Sequence, residues 1–307
     1  MSAPPAITVT GLVKEYGGRR VIDGLDLEVR TGEVLAFLGR NGAGKTTTTE
    51  ILEGYRTRDT GEVSVLGEDP ARAGARWRAR LGIVLQESQP VPTLTVREIL
   101  RLYAAYFPNP RPVDEVIHLV GLGEKAGERA ARLSGGQLRR LDVGVALIGG
   151  PDLLFLDEPT TGFDADARRQ FWDVIHGLRA TGTTIFLTTH YMDEAQALAD
   201  RVAILREGRV AALGTPSELQ ASLGGVEIRF ELPAGVAGAD LPALSVAPRV
   251  DGPHVTVSTE RATADLAVLC AWAGGRGIDL PSLEVGRPTL EDVFLAIAGD
   301  AAPGGTR

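Results

Sequence analysis

The sequence predicts an α/β protein: a parallel-sheet core bearing an N-terminal antiparallel β-flap and an α-helical subdomain, followed by a small C-terminal α+β domain. Three observations lead there. Short, nearly unbroken apolar runs, "EVLAFLG", "DLLFLDE" and "TTIFLTTH", have the length and continuity of strands buried on both faces. The helical pattern "ADARRQFWDVIHGLRA" separates the last two, and a strand, helix, strand alternation implies parallel strands with helices on the sheet's faces. Composition then shifts near Gly224, where a new alternation of strand and helix patterns begins.

Taken in order, "AITVTGLVKEYGG" and "RVIDGLDLEVRTG" alternate apolar and polar residues between glycines, as an antiparallel flap does. "EVLAFLG" is a buried strand that ends in glycine and feeds a helix beginning near Lys45. Between about Arg97 and Gly123 the period is helical, in "VREILRLYAAYF" and "VDEVIHLVGLG" on either side of "PNPRP", which places the helical subdomain at about 87–140. In "RLSGGQLRRLDVG", Ser134 and Gln137 have capping-box spacing, so a helix should start at Ser134 and bury Leu138, Leu141, Val145 and Ile148 on one face. "VAILREGRVAALG" reads as a hairpin turning at Glu207-Gly208. Beyond the boundary, "VEIRFELP" and "HVTVST" alternate with the helical "ADLAVLCAWAGG" and "TLEDVFLAIAG", so the expected domains are 1–223 and 224–307.

A chain of 307 residues is long enough for one large domain plus a smaller one, or two modest ones, and for a sizeable core. Its net charge of -8 weighs against a broad nucleic-acid footprint, and no nucleic-acid partner is expected. The arginines of "ARAGARWRAR" fit a solvated, partly helical face. Cys270 is the only cysteine, which excludes an intramolecular disulfide and a cysteine metal cluster, and its apolar surroundings in "LAVLCAWAG" predict core packing. No basic segment followed by an apolar stretch opens the chain, and the apolar segment 143–156 is interrupted by Pro151 and Asp152. These features predict a soluble, cytoplasmic chain.

The chemistry gathers at strand ends. "GRNGAGKTT", Gly39 to Thr47, fits G-x-x-x-x-G-K-[ST] between a buried strand and a helix. Backbone N–H groups around Gly39, Asn41, Gly42 and Gly44 can face phosphates, and the helix start adds positive potential. Lys45 would reach the β- and γ-phosphates, Thr46 would ligate Mg²⁺, and Thr47 would meet the α-phosphate. Asp157 closes "LLFLD" at a strand's carboxyl end and suits a residue fixing Mg²⁺ through water. Glu158 follows and can accept a proton from attacking water as general base. The plainer alternative is that both carboxylates merely end a strand before Pro159.

His190 ends the neighbouring strand and would project from the same sheet edge, able to contact the γ-phosphate or orient Glu158. Gln86 follows another short apolar run and could reach the metal or the water with its amide. Tyr16 lies in a glycine-flanked turn and is read equally as a base-stacking or a packing tyrosine. His118, His176 and His254 lack such placement. Gly135 and Gly136, after the Ser134 cap, leave first-turn N–H groups uncovered, a second anion-binding helix start that has no lysine.

These motifs together, in the order phosphate loop, Gln86, "LSGGQ", "LLFLDEPTTGFD" and His190, resemble the nucleotide-binding domain of ATP-binding cassette (ABC) proteins, over about Ile7 to Leu219. The resemblance implies a P-loop NTPase core, ATP and Mg²⁺ as cofactors, Tyr16 stacked on adenine and Gln86 coupling the site to a membrane subunit. It also implies two cassettes packed head to tail, with Ser134, Gly135, Gly136 and Gln137 of one chain contributing in trans to the γ-phosphate held by Lys45 of the other, and Thr161 to Asp164 crossing the dimer interface. Two departures occur: "TGFD" stands where "SALD" is common, and "TTTTE" where a leucine is common, neither of which removes a chemical group. "EPTTGFD", "TTHYMDEA" and "RPTLEDVFLAIAG" further resemble drug-export ATPases of the daunorubicin-resistance, ABC-2 type, whose cassette is a separate polypeptide. That implies an ATPase homodimer on the inner face of the cell membrane, powering export of a drug-like or other hydrophobic compound through a separate permease. An importer cassette or a soluble non-transport ABC ATPase would share the same catalytic residues, and both stay open at this point.

Overall fold

The computed structural model describes residues 4–85, 91–233 and 235–298. The chain divides into two compact units, Met1–Thr215 and Pro216–Arg307. In the first, β1 (Ile7–Tyr16), β2 (Arg19–Val29), β3 (Val34–Gly39), α1 (Lys45–Leu52) and β4 (Thr60–Val65) come before a four-residue helix α2 (Ala75–Arg78) and β5 (Leu81–Val84). Then follow α3 (Val96–Ala104), α4 (Val113–Leu119), α5 (Gly135–Leu147), β6 (Leu153–Asp157), α6 (Ala165–Ala180), β7 (Thr184–Thr188), α7 (Met192–Leu198), β8 (Arg201–Arg206) and β9 (Arg209–Gly214).

The central sheet has the order β5-β6-β7-β3-β8-β9 and is parallel except for β9, which returns from β8 through the Glu207-Gly208 turn. Alternation along its strands sorts side chains onto two cores. Leu154 and Leu156 of β6 and Ile185 and Leu187 of β7 face the helical side with Val116, Leu141 and Phe171. Leu153, Phe155 and Phe186 face the opposite side, with the flap strands, α1 and Trp77. Burial on both faces explains why these strands read as continuous apolar runs. Phe186 sits between Phe37 and Phe155, with ring centroids 5.3 and 5.5 Å apart. The flap is a separate antiparallel sheet, β2-β1-β4, whose strands are longer than the alternation suggested because the ladder shifts register around Gly11 instead of ending there.

On α5 the capping box forms as expected: Gln137 N–H donates to Ser134 Oγ at 3.3 Å and Ser134 N–H to Gln137 Oε1 at 3.0 Å. Its burial differs from the single predicted face. Leu141, Val143, Gly144, Leu147 and Arg139 are buried, while Leu138 and Val145 are only partly so, because the helix lies between the sheet and its helical neighbours.

The second unit begins with α8 (Pro216–Ser222), so the division precedes this helix where the composition placed it near Gly224. β10 (Val226–Glu231), β11 (Arg249–Asp251), β12 (His254–Thr259), α9 (Ala262–Arg276), β13 (Glu284–Gly286) and α10 (Leu290–Ala298) complete it, with α8 packed on α10. Its sheet, β11-β12-β10-β13, is antiparallel. Ile228, Phe230, Val255 and Val257 pack against Leu269 and Ala273 of α9. Cys270, expected in that core, is exposed: α9 is apolar around much of its circumference, and the face carrying Asp265, Leu269 and Ala273 turns inward. Among the described residues no helix is long and apolar enough to cross a membrane.

Candidate functional site

The phosphate loop leaves β3 and enters α1 through Gly44, whose φ of 106° and close approach to the Val21 carbonyl, 2.9 Å from any added Cβ, leave room for no side chain. Lys45 is buried and donates from Nζ to the Gly39 carbonyl at 2.6 Å and to that of Arg40 at 3.4 Å, so the loop curls around its own lysine. Thr48 and Thr49 bond back to the helix carbonyls of Gly44 and Lys45, at 2.9 and 3.1 Å. Thr46 and Thr47 instead line a 420 Å³ cavity with Val21, Asn41, Gly42, Gly44, Lys45, Asp157 and Glu158. A nest of loop N–H groups around a buried ammonium, with two hydroxyls and two carboxylates at the rim, fits a polyphosphate and a hard divalent cation. A larger hollow of 690 Å³ lies at the amino ends of the sheet strands, bordered by Thr31, Arg80, Asp152 and Thr184, where Arg80 is already paired with Asp152.

Asp157 and Glu158 leave β6 beside β7. Asp157 accepts from the Thr188 hydroxyl, and the Glu158 N–H donates to the Thr188 carbonyl at 3.0 Å. Glu158 has φ 42°, the left-handed region that a residue with a side chain adopts at a cost of about 1–2 kcal/mol. His190, just past β7, brings Nδ1 to 3.3 Å from Glu158 Oε2, stacks its ring on Tyr191 and leaves its side chain 44% exposed. The Thr161 hydroxyl also reaches Glu158 Oε2, at 3.4 Å. Burial pulls the Lys45 ammonium below its ordinary value, and the charges of Glu158 and Asp157 oppose that shift. Burial, then Asp157 and Glu50, push the Glu53 carboxyl at the end of α1 up to about 8.

Two residues beside this cavity escaped the sequence reading. Arg139, on α5, is buried and donates to three backbone carbonyls, those of Leu85, Asp157 and Pro159. Thr188 is fully buried against Asp157, and its only sequence signal was its place at the end of an apolar run two residues before His190.

Ser134, Gly135, Gly136 and Gln137 are not among the residues lining the cavity of their own chain. Ser134 and Gly135 are exposed, and Gly135 has nothing within 4 Å of an added Cβ. A Cβ on Gly136 would meet that of Ala167 at 3.0 Å, so packing against α6 also favours the glycine. Ser134 Oγ accepts the Gln137 N–H, which leaves its own hydroxyl proton to donate outward. Asp164, at the end of the Thr161–Asp164 loop, caps α6 through the Ala167 N–H at 2.7 Å. Tyr16 is outside the residues lining the cavity; it is 41% exposed, its hydroxyl accepts from Arg56, and Lys14 and Arg56 lie 5.4 and 5.5 Å from its ring centroid. Gln86 lies outside the described residues.

Residues 22–161 match the ABC transporter family, and residues 226–289 match the C-terminal domain of ABC transporter domain-containing protein-like proteins. The chain is 38% identical to the daunorubicin resistance ATP-binding protein DrrA3 of Streptomyces coeruleorubidus over 97% of both chains. It is 37% identical to the Nod factor export ATP-binding protein I of Ralstonia nicotianae, over 97% of this chain and 95% of that one. Among solved structures, cbiO1 from Clostridium perfringens, part of the ABC transporter complex cbiONQ, superposes with a TM-score of 0.67 at 27% identity, covering 72% of this chain and 92% of that one.

Proposed function

Because the chain belongs to the ATP-binding, ATP-hydrolysing proteins of ABC transporters, we propose that it works as a homodimer on the inner face of the cell membrane and powers export of a drug-like or other hydrophobic compound through a separate permease. What carries the reading is that the two half-sites do not line one cavity within a single chain. Lys45, Thr46, Thr47, Asp157 and Glu158 share a cavity, while Ser134, whose Oγ accepts from Gln137, and Gly135 are exposed outside it. A second copy supplies what the first lacks, and ATP held from both sides favours the closed dimer.

In this scheme the phosphate loop and Lys45 grip the β- and γ-phosphates, and Tyr16 stacks on adenine, its ring already flanked by Lys14 and Arg56. Thr46, Asp157 and Gln86 would hold Mg²⁺, which when bound neutralises charge developing on the phosphate oxygens. Glu158 accepts the proton of the attacking water, and His190, 3.3 Å away through Nδ1, fixes the carboxylate's direction. Hydrolysis removes the contact that favoured closure, and the dimer reopens. Export, as opposed to import, is supported by the naming of the relatives as drug-resistance and export proteins.

Two experiments test this reading. Glu158→Gln should keep ATP binding and nearly abolish turnover; wild-type hydrolysis would remove Glu158 from the role of base. Co-purification from membranes should yield a permease whose expression with this chain lowers cellular accumulation of a hydrophobic antibiotic. A permease that works only with an external solute-binding protein would reverse the direction.

A further inference from the structure

We infer that Arg139 is a positioning residue for ATP hydrolysis, its guanidinium clamping the backbone on both sides of Glu158 and tying it to the residue that precedes Gln86. The inference rests on the reading of Glu158 as the base. Arg139 is 7% exposed on a helix whose other buried residues are apolar. Its hydrogen bonds go to backbone oxygens: Nε to Pro159 at 3.1 Å, Nη2 to Asp157 at 2.7 Å, and Nη1 to Leu85.

The carbonyl of Asp157 belongs to the peptide entering Glu158, and that of Pro159 to the backbone just after it. Holding both fixes the frame in which Glu158 keeps its left-handed φ of 42°, a conformation that persists only where the surroundings over-determine it. The third bond reaches Leu85 at the exit of β5, so one planar fork joins the exits of β5 and β6 to the helix that starts at Ser134. A guanidinium can serve these oxygens together in a fixed geometry; an ammonium, with its compact charge, cannot span them. Burial pulls Arg139 below its ordinary pKa, with Asp142, Asp157 and Glu194 opposing, so holding this cation here has a cost that apolar packing alone would avoid.

A clamp acting through Glu158 differs measurably from a buried arginine that merely joins helix to sheet. Arg139→Lys in the full-length chain should lower kcat for ATP by about tenfold or more while KM stays within about twofold. In the Glu158→Gln background the same substitution should change residual turnover by less than about twofold, since the group it positions is gone. Hydrogen exchange at the Glu158 amide, bonded to Thr188, should quicken in Arg139→Lys. Arg139→Gln, which removes the buried charge altogether, should lose the same kcat even where its melting temperature matches the wild type. Wild-type kcat in both Arg139 variants, or an equal fold-loss in both backgrounds, overturns the clamp. Wild-type turnover in Glu158→Gln alone overturns the base assignment, whereas unchanged exchange at the Glu158 amide overturns the clamp whatever the base is.

Discussion

Glu53 closes the phosphate-loop helix and is 6% exposed, with its carboxyl pushed from 4.5 up to about 8 by burial first and then by Asp157 and Glu50. The folded chain therefore keeps a proton that the unfolded chain releases. Between the two values the folded state binds more protons, so stability falls as pH rises from 4.5 to about 8 and levels off above. At about 1.36 kcal/mol per pH unit, the gap sets a ceiling of roughly 4–5 kcal/mol, of which roughly 3 kcal/mol falls between about pH 5 and pH 8. Glu53→Gln keeps the shape of the side chain and has no proton to lose. Denaturant titrations of the nucleotide-free chain and the variant, at intervals across that range, should show the variant's relative stability rising by roughly 3 kcal/mol from about pH 5 to pH 8. Tryptophan fluorescence suits the measurement, since Trp77 is buried in the same core as Ile51 and Leu52 of that helix. A stability difference of constant size across the range would refute the buried, protonated carboxyl.

Ser134→Arg should block hydrolysis yet leave equilibrium ATP binding to the monomer intact, because Ser134 is exposed and outside the residues lining the Lys45 cavity; lost binding would place Ser134 in the site of its own chain. Gly208→Ala puts a Cβ 2.5 Å from the Val21 carbonyl at a φ of 75°, and should destabilise the first unit by about 2 kcal/mol or more in thermal unfolding. It should also weaken ATP binding, since the Gly208 N–H holds the Ala43 carbonyl of the phosphate loop at 3.2 Å. Thr188→Val removes the hydroxyl that donates to Asp157 and should cost about 1–3 kcal/mol, with turnover falling further than ATP affinity.

The sequence exposed those parts of the fold whose pattern is local. β6 and β7 are buried on both faces and so are apolar without alternation, and the Ser134–Gln137 cap is a pair three residues apart whose two hydrogen bonds need nothing from elsewhere. α5 misled for the same reason: a single-face pattern assumes one neighbour, and this helix has neighbours on several sides. Cys270 misled in the opposite direction, because apolar residues around much of α9 carry no information about which face turns inward.

The candidate site divides along the same line. Asp157, Glu158 and His190 were legible because each stands at or just past the end of a strand that the sequence itself marks, Lys45 because it opens the helix that follows such a strand, and parallel strands gather their carboxyl ends at one edge. What holds them was not legible, since the partners are backbone atoms. Arg139 spends its donors on the carbonyls of Leu85, Asp157 and Pro159, and a carbonyl oxygen has no residue type to leave in a sequence. The left-handed turn at Glu158 is equally silent, because the residue there is a glutamate where a glycine would have announced it. Glutamate holds this position against its own backbone preference, and the strain needs the surrounding bonds to hold it. The motifs thus name the groups proposed to react, while the geometry that would aim them resides in long-range bonds to the main chain.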